Sequence, residues 1–170
     1  MFETDRLAVR RYRPADLAAH LRLRADPLVR QFMHWAEDEA AWPRRVVEAA
    51  ARHPFDGRGW INLAVARRRD GAVIGDHGLR VEGGEAFIGL ALLPEARRCG
   101  FGAELVRGAT RWLAASGVGR CVAEIDFGNA ASFGLFERAG FRTLREGRDA
   151  FGPFAVMFCD LAAAAPGDVA

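Results

Sequence analysis

Lysine is missing from this chain, and all 24 basic residues are arginine. No side chain can form a Schiff base or act as an amine nucleophile, and a P-loop, whose GxxxxGK(S/T) motif needs its lysine, is excluded with it. Cysteine is scarce. Cys99, Cys121 and Cys159 are an odd number, widely spaced and without a CxxC pair, which argues against a zinc site or a disulfide framework and fits a reducing cytoplasm. No run of 18 apolar residues could span a membrane, and the start, Met1-Phe-Glu-Thr-Asp-Arg, lacks the cationic and apolar parts of a signal peptide. The expectation is a soluble cytoplasmic protein without membrane association. An excess of one charge is absent too: 24 basic against 22 acidic residues leave +2, which gives no electrostatic case for nucleic-acid binding. What is present is apolar material, 51% of 170 residues, ample for one core. A single domain over residues 1–162 with a frayed tail at 163–170 is expected.

Hydrophobic periodicity orders the elements. Alternation in "RLAVRRYR", from Arg6, reads as a half-exposed strand, and "PADLAAHLRLRAD", from Pro14, as a helix. An irregular aromatic segment, "FMHWAE", separates it from a second helical region at Asp38 to His53. From Trp60 the period is two, with turns at Asp70-Gly71 and Gly83-Gly84 dividing three strands up to Pro94. Then come a helix in "GAELVRGATRWLAASG", a strand in "RCVAEIDF", a short helix in "NAASFGLFERAG" capped by Asn129, and strands in "FRTLRE" and "AVMFCDL". The order β-α-α-β-β-β-α-β-α-β-β predicts an α/β fold, a mixed sheet with helices packed on it.

The chemistry-bearing stretch is "PEARRCGFGAEL", Pro94 to Leu105. A helix opening near Gly102 presents unpaired amides and a dipole that favour an anion. Glycines at 100 and 102 let backbone approach closely, and Arg97 and Arg98 add charge suited to a pyrophosphate. Two glycines alone specify only a tight strand-to-helix turn. A Rossmann GxGxxG is also excluded, because Leu105 stands where the third glycine belongs and "PEARR" separates the strand from the loop.

"RRCGFG" matches the R/Q-x-x-G-x-G/A signature of GNAT N-acetyltransferases, with Arg97, Gly100 and Gly102 at the signature positions. "IGLALLPEARRCGFGAEL" and "ETDRLAVRRYRPADL" resemble the RimJ/RimL-like branch, and "NAASFGLFERAGF" resembles the family's asparagine-led helix. The resemblance implies a GNAT-like fold: a strongly twisted, mostly antiparallel sheet with a central splayed parallel strand pair and flanking helices. It implies acetyl-CoA as cosubstrate and no metal. Leu92 and Leu93 would bond the pantetheine through their main chain. The amides from Arg98 through Cys99, Gly100, Phe101 and Gly102 to Ala103 would hold the pyrophosphate, and Asn129, Ser132 and Phe136 would flank the pantetheine arm.

Acyl transfer to an amine needs a base and backbone donors on the thioester carbonyl, with a proton supplied to the departing thiolate. Alternation in "CVAEIDF" puts Val122, Glu124 and Asp126 on one face. Glu124, five residues before Asn129, is where some relatives carry a glutamate base, and it is the first choice. His77 is the remaining candidate base, and the resemblance would put His34 near the acceptor side. Where many relatives have a tyrosine acid, seven residues after the asparagine, this chain has Phe136, which leaves Ser132 or water to protonate the thiolate. Trp35 and Trp42 could wall the acceptor, and Cys99 reads as incidental. The expected reaction moves acetyl from acetyl-CoA to a primary amine, a protein N-terminus or a small molecule. Another acyl donor such as succinyl-CoA, or a non-catalytic coenzyme A sensor or peptide-binding module, is the alternative. Homodimers are common among such proteins, and the sequence does not specify one here.

Overall fold

A computed structural model of the chain describes residues 1–34, 44, 46, 48 and 51–161. The expected helix at Asp38 to His53 falls largely outside the described residues, although Arg44, Val46, Glu48 and Ala51 have helical backbone. Trp35, Trp42 and the tail from residue 162 also lie outside them.

Among the described residues eight strands form one sheet: β1 (Phe2–Glu3), β2 (Leu7–Arg11), β3 (Ile61–Arg67), β4 (Val73–Glu82), β5 (Glu85–Leu92), β6 (Arg120–Asp126), β7 (Arg142–Asp149) and β8 (Gly152–Asp160), in the spatial order β1-β2-β3-β4-β5-β6-β8-β7. All neighbours are antiparallel except β5 and β6, which run parallel. Parallel neighbours need a crossover, and α3 (Phe101–Ala115) supplies it. The other α-helices with both ends among the described residues are α1 (Leu17–Ala25), α2 (Pro27–Met33) and α4 (Ala130–Arg138). No described helix is long and apolar enough to cross a membrane.

The two faces of the sheet are covered differently. α3 buries Leu105, Val106, Ala109 and Leu113, a stripe at helical spacing. With α4 it closes the main core over Leu7, Val9, Leu63, Val65, Leu79, Ile88, Cys121, Ala123 and Ile125. On the opposite face α1 and α2 place Leu23 and Val29 against Ala91 and Leu93. The face of β6 carrying Val122, Glu124 and Asp126 is therefore left toward a cavity, as the alternation predicts.

Two elements escape the sequence reading. β1 is two residues long and has no period to detect. α2 has only seven residues, but its start is written in the chain: Asp26 accepts from Val29 N (3.0 Å) and Pro27 occupies the first turn, an N-cap followed by a proline pre-set for the helix.

Candidate active site

The cleft arises where two strands part. β5 and β6 pair only at Glu85–Arg120, Ala86–Cys121 and Phe87–Val122. Beyond that, β5 stays with β4 as far as Leu92 and β6 with β8 as far as Asp126, so the two strands separate in a V. Leu93 N donates to Ile74 O (2.9 Å). Alternation along an antiparallel edge then turns the backbone groups of residues 89, 91 and 93 toward β4, and those of Ile88, Leu90 and Leu92 toward the gap. Leu93 is thus withdrawn from the main-chain role expected for it, since its carbonyl also accepts from Ala96 N (2.9 Å). Leu90 stands in its place.

At one mouth of the V lies the glycine loop. Gly100 is the N-cap of α3 with φ 81°, a left-handed conformation that disfavours a side chain. The first intrahelical bond runs from Glu104 N to Gly100 O (3.1 Å). The amides of Phe101, Gly102 and Ala103 are therefore without intrahelical acceptors and face out along the helix dipole.

The two loop arginines do different work. Arg97 donates through Nε to Leu92 O (2.9 Å) and through Nη2 to Asp26 Oδ1 (2.6 Å), tying the loop to the end of β5 and the start of α2. Arg98 is exposed and has no ion pair among the described residues, which leaves its guanidinium available to a phosphate. Arg6, which the sequence reading left in a strand, braces the loop from behind. It bonds Glu104 through Nε (2.6 Å) and Cys99 O through Nη1 (3.1 Å), and its guanidinium lies 4.5 Å from the Phe101 ring centroid. Glu104 also accepts from Thr4 Oγ1 and Arg6 N.

At the other mouth a cavity of about 900 Å³ opens on the α1–α2 face, lined by Glu124 and Asp126 of β6, His34, Asn62, Gly78, Arg80, Gly89 and others. Across its floor Asn62, Gly78 and Gly89 pair side by side on β3, β4 and β5, with the Trp60 ring over Gly78 and open space over Gly89. Glu124 is exposed on the wall. Asp126 Oδ2 meets His34 Nε2 at 2.8 Å, and the His34 ring stacks on Phe151 with centroids 3.9 Å apart. The splayed pair thus has an anion cradle at one mouth and carboxylates with an imidazole at the other.

A family model described as an acetyltransferase (GNAT) domain matches residues 6–142. The chain belongs to the GNAT acetyltransferase family. Mycothiol acetyltransferase of Clavibacter michiganensis is 32% identical over 123 residues, which is 63% of this chain and 40% of that protein. The chain therefore spans well under half the length of the curated relatives it matches. A GNAT-family acetyltransferase structure from Bacillus anthracis superposes with a TM-score of 0.80 at 15% identity, covering 94% of this chain and 97% of the other. Spermidine N-acetyltransferase of Vibrio cholerae, solved with coenzyme A and spermine, superposes with a TM-score of 0.78 at 15% identity, covering 94% and 98%. The GNAT-like sheet with its splayed central pair is the architecture that the motifs implied.

In this GNAT domain the remaining expected residues separate into those at the cleft and those in the core. Asn129 caps α4 by accepting from Ser132 N (3.1 Å) through Oδ1, which leaves its Nδ2 as a donor. Ser132 is half-buried beside it. Phe136 is corrected: only 2% exposed, it packs edge-on against Phe141 at 4.9 Å and belongs to the core. His77 is corrected as well. At 1% exposure it lies on the β4 face turned away from the cavity, with Nδ1 on Gly89 O (3.1 Å) and Phe2 against its ring. Alternation separates His77 from Asp76, but which face meets the cavity is not local information. The Cys99 thiol is exposed and donates to Arg97 O (3.3 Å).

Beside the cavity floor, on the same face of the sheet, sits a buried polar cluster that the sequence did not reveal. Asp76, fully buried, accepts from Tyr12 Oη (2.9 Å) and from Asn62 Nδ2 (2.7 Å), while His20 Nδ1 lies 3.0 Å from Tyr12 Oη. Burial raises Asp76 to about 6, opposed by its bonds from Asn62 and Tyr12, and burial lowers His20 and His77 to about 4.

The unfolded chain therefore binds more protons at the two histidines between about pH 6.5 and 4, and their contribution to stability is lost as pH falls through that window. Asp76 acts in the opposite sense between about pH 4 and 6. Two histidines outweigh one carboxyl, so the urea midpoint is expected to drop between pH 6.5 and 4.5. His77→Leu should flatten that drop, and an acid limb unchanged in the variant would contradict the burial of this ring.

Proposed function

We propose that the chain transfers an acetyl group from acetyl-CoA to a primary amine by direct attack within the splay of β5 and β6. One observation carries this reading: the parallel ladder stops at Phe87–Val122, with the Gly100–Gly102 helix start at one mouth and Glu124 and Asp126 at the other. The family match and the coenzyme A bound by the Vibrio cholerae relative support it.

In this reading the amides of residues 101–103 and Arg98 hold the pyrophosphate, and the β5 edge facing the gap at Leu90 and Leu92, where Arg97 already occupies the Leu92 carbonyl, holds the pantetheine. Asn129 Nδ2 and Ser132 flank the arm. A β5 backbone N–H facing the gap polarises the thioester carbonyl, where such donors act most strongly because water is excluded. Glu124 takes a proton from the acceptor ammonium, and the neutral amine attacks the carbonyl carbon. The C–S bond breaks and coenzyme A leaves as thiolate, while the second proton lost by the attacking nitrogen passes through Ser132 or water to the sulfur, since the phenyl ring of Phe136 has none to give. The sequence resemblance favours the RimJ/RimL-like branch and a cytoplasmic setting, in keeping with three unpaired cysteines.

The test is release of free thiol from acetyl-CoA across a panel of amines and peptides. Release that requires a primary amine is expected. Tight binding of acetyl-CoA without release for any acceptor would overturn the catalytic reading in favour of a sensor, and preferential turnover of succinyl-CoA would replace the donor.

A further inference from the structure

The cavity wall opposite the carboxylates carries a cation whose position the acetyl-transfer chemistry leaves unexplained. Arg80 of β4 lines the cavity, with its guanidinium carbon 4.2 Å from the Phe87 ring centroid and 5.8 Å from that of Trp60. Rings on its flanks hold the planar fork in place at low cost in lost side-chain freedom. Its Nη1 meets Glu82 at 3.0 Å, but that carboxylate is 66% exposed, and such surface pairs are weak. Nε is buried and has no hydrogen-bond partner among the described residues. A buried donor on a charged group costs free energy until an acceptor reaches it.

The charges lining the cavity point the same way. Among the described residues that line it, Glu48, Glu124 and Asp126 are balanced by Arg52, Arg80 and Arg145. Arg52 is occupied by a two-pronged bond to Asp56 at 2.9 and 2.8 Å. Arg145 makes no ion pair among the described residues and stands level with Glu124 across β8, since both pair with Val156. A site built for a polycation such as spermine would carry carboxylates without these arginines, because like charge opposed to the ligand costs affinity.

From this arrangement we infer that the acceptor is an amine that also bears a carboxylate, with the carboxylate on Arg80 and the ammonium at Glu124. The inference rests on the acetyl-transfer reading and names its acceptor class. The sheet sets the size: β4 and β6 are two strand spacings apart, roughly 10 Å before the splay widens them. Long side chains reaching inward from both walls shorten that span, so a compact molecule, an amino acid or a short acidic peptide, bridges it. The Trp60 ring, which lies over Gly78, and the open space over Gly89 give its apolar part a place to lie.

The experiment compares matched acceptors on the full chain with acetyl-CoA, following thiol release: phenylalanine against phenylalaninamide, Ala-Glu against alanylglutaminamide, which has no carboxylate, and spermidine alone. At least one acid is expected to exceed its amide about tenfold in kcat/KM and to exceed spermidine. The amide's amine is the less basic of the pair, so any bias from basicity runs against this result. Arg80→Met, which keeps the apolar stem over Phe87, should erase the acid preference through KM with kcat nearly unchanged and acetyl-CoA affinity intact, and Arg80→Lys should restore part of it.

Amides or spermidine turning over as well as the acids would overturn the inference in the unaltered protein, whatever becomes of the variants. An acid-to-amide ratio unmoved by Arg80→Met would overturn the role of Arg80. Absence of thiol release with every amine would overturn instead the acetyl-transfer reading beneath it.

Discussion

Gly102→Glu is expected to lower the affinity for coenzyme A at least 100-fold, equivalent to about 2.7 kcal/mol, while the circular dichroism of the fold is retained. Gly102 lies in the first turn of α3, and a Cβ there would sit 3.3 Å from Leu135 Cδ2 and 3.8 Å from Leu92 Cδ1. Leu135 must give by a few tenths of an ångström, which the partly buried end of a leucine can do. A carboxylate in the first turn favours the helix itself. The same charge faces the place where the pyrophosphate would lie, and its bulk blocks the amides of residues 101–103. Gly100→Glu should bind as poorly and fold less well, because φ 81° strains any side-chain-bearing residue and its Cβ would stand 3.2 Å from Arg6 Nη2. Isothermal calorimetry decides: tight binding retained by Gly102→Glu would remove the loop from the coenzyme A site.

Glu124→Gln is expected to reduce kcat/KM on the order of 100-fold with acetyl-CoA affinity unchanged, the loss typical of a general base. The amide keeps the shape of the side chain and one acceptor oxygen, replaces the other with a donor, and cannot accept the proton of an ammonium. Glu124 is the exposed carboxylate on the wall of the V, one turn of the pleat beyond the last β5–β6 pair at Val122. Its rival is Asp126, already engaged by His34 at 2.8 Å. Asp126→Asn should therefore cost less. If Asp126→Asn and His34→Gln each abolish turnover while Glu124→Gln does not, the imidazole held by Asp126 is the base.

Much of the site could be read from the chain because the relevant physics is local. The cap at Asn129, the left-handed turn before α3, the bare amides at its start and the alternation that puts Glu124 beside Asp126 each depend on a handful of consecutive residues. The same locality explains the misplacements. Alternation assigns His77 and Asp76 to opposite faces but is silent on which helix covers which face. Helical spacing likewise put Phe136 near Asn129 without saying that it turns toward Phe141. Leu93 failed for a related reason: whether a strand residue bonds its neighbour or faces a gap depends on the partner's register, and Ile74 claims its amide.

By itself, then, the sequence determined the fold family, the glycine cradle and the carboxylate pair, since these follow from motifs and periods carried by contiguous residues. Only the tertiary structure decided how the loop is braced, by Arg6 and Glu104, which stand 98 residues apart, and by Arg97 and Asp26, 71 apart. It also decided that Arg80, Asn62 and Glu124, from three different strands, share one cavity. Contacts between distant segments follow from sheet register and from which face each helix covers, and neither is set by neighbouring residues along the chain.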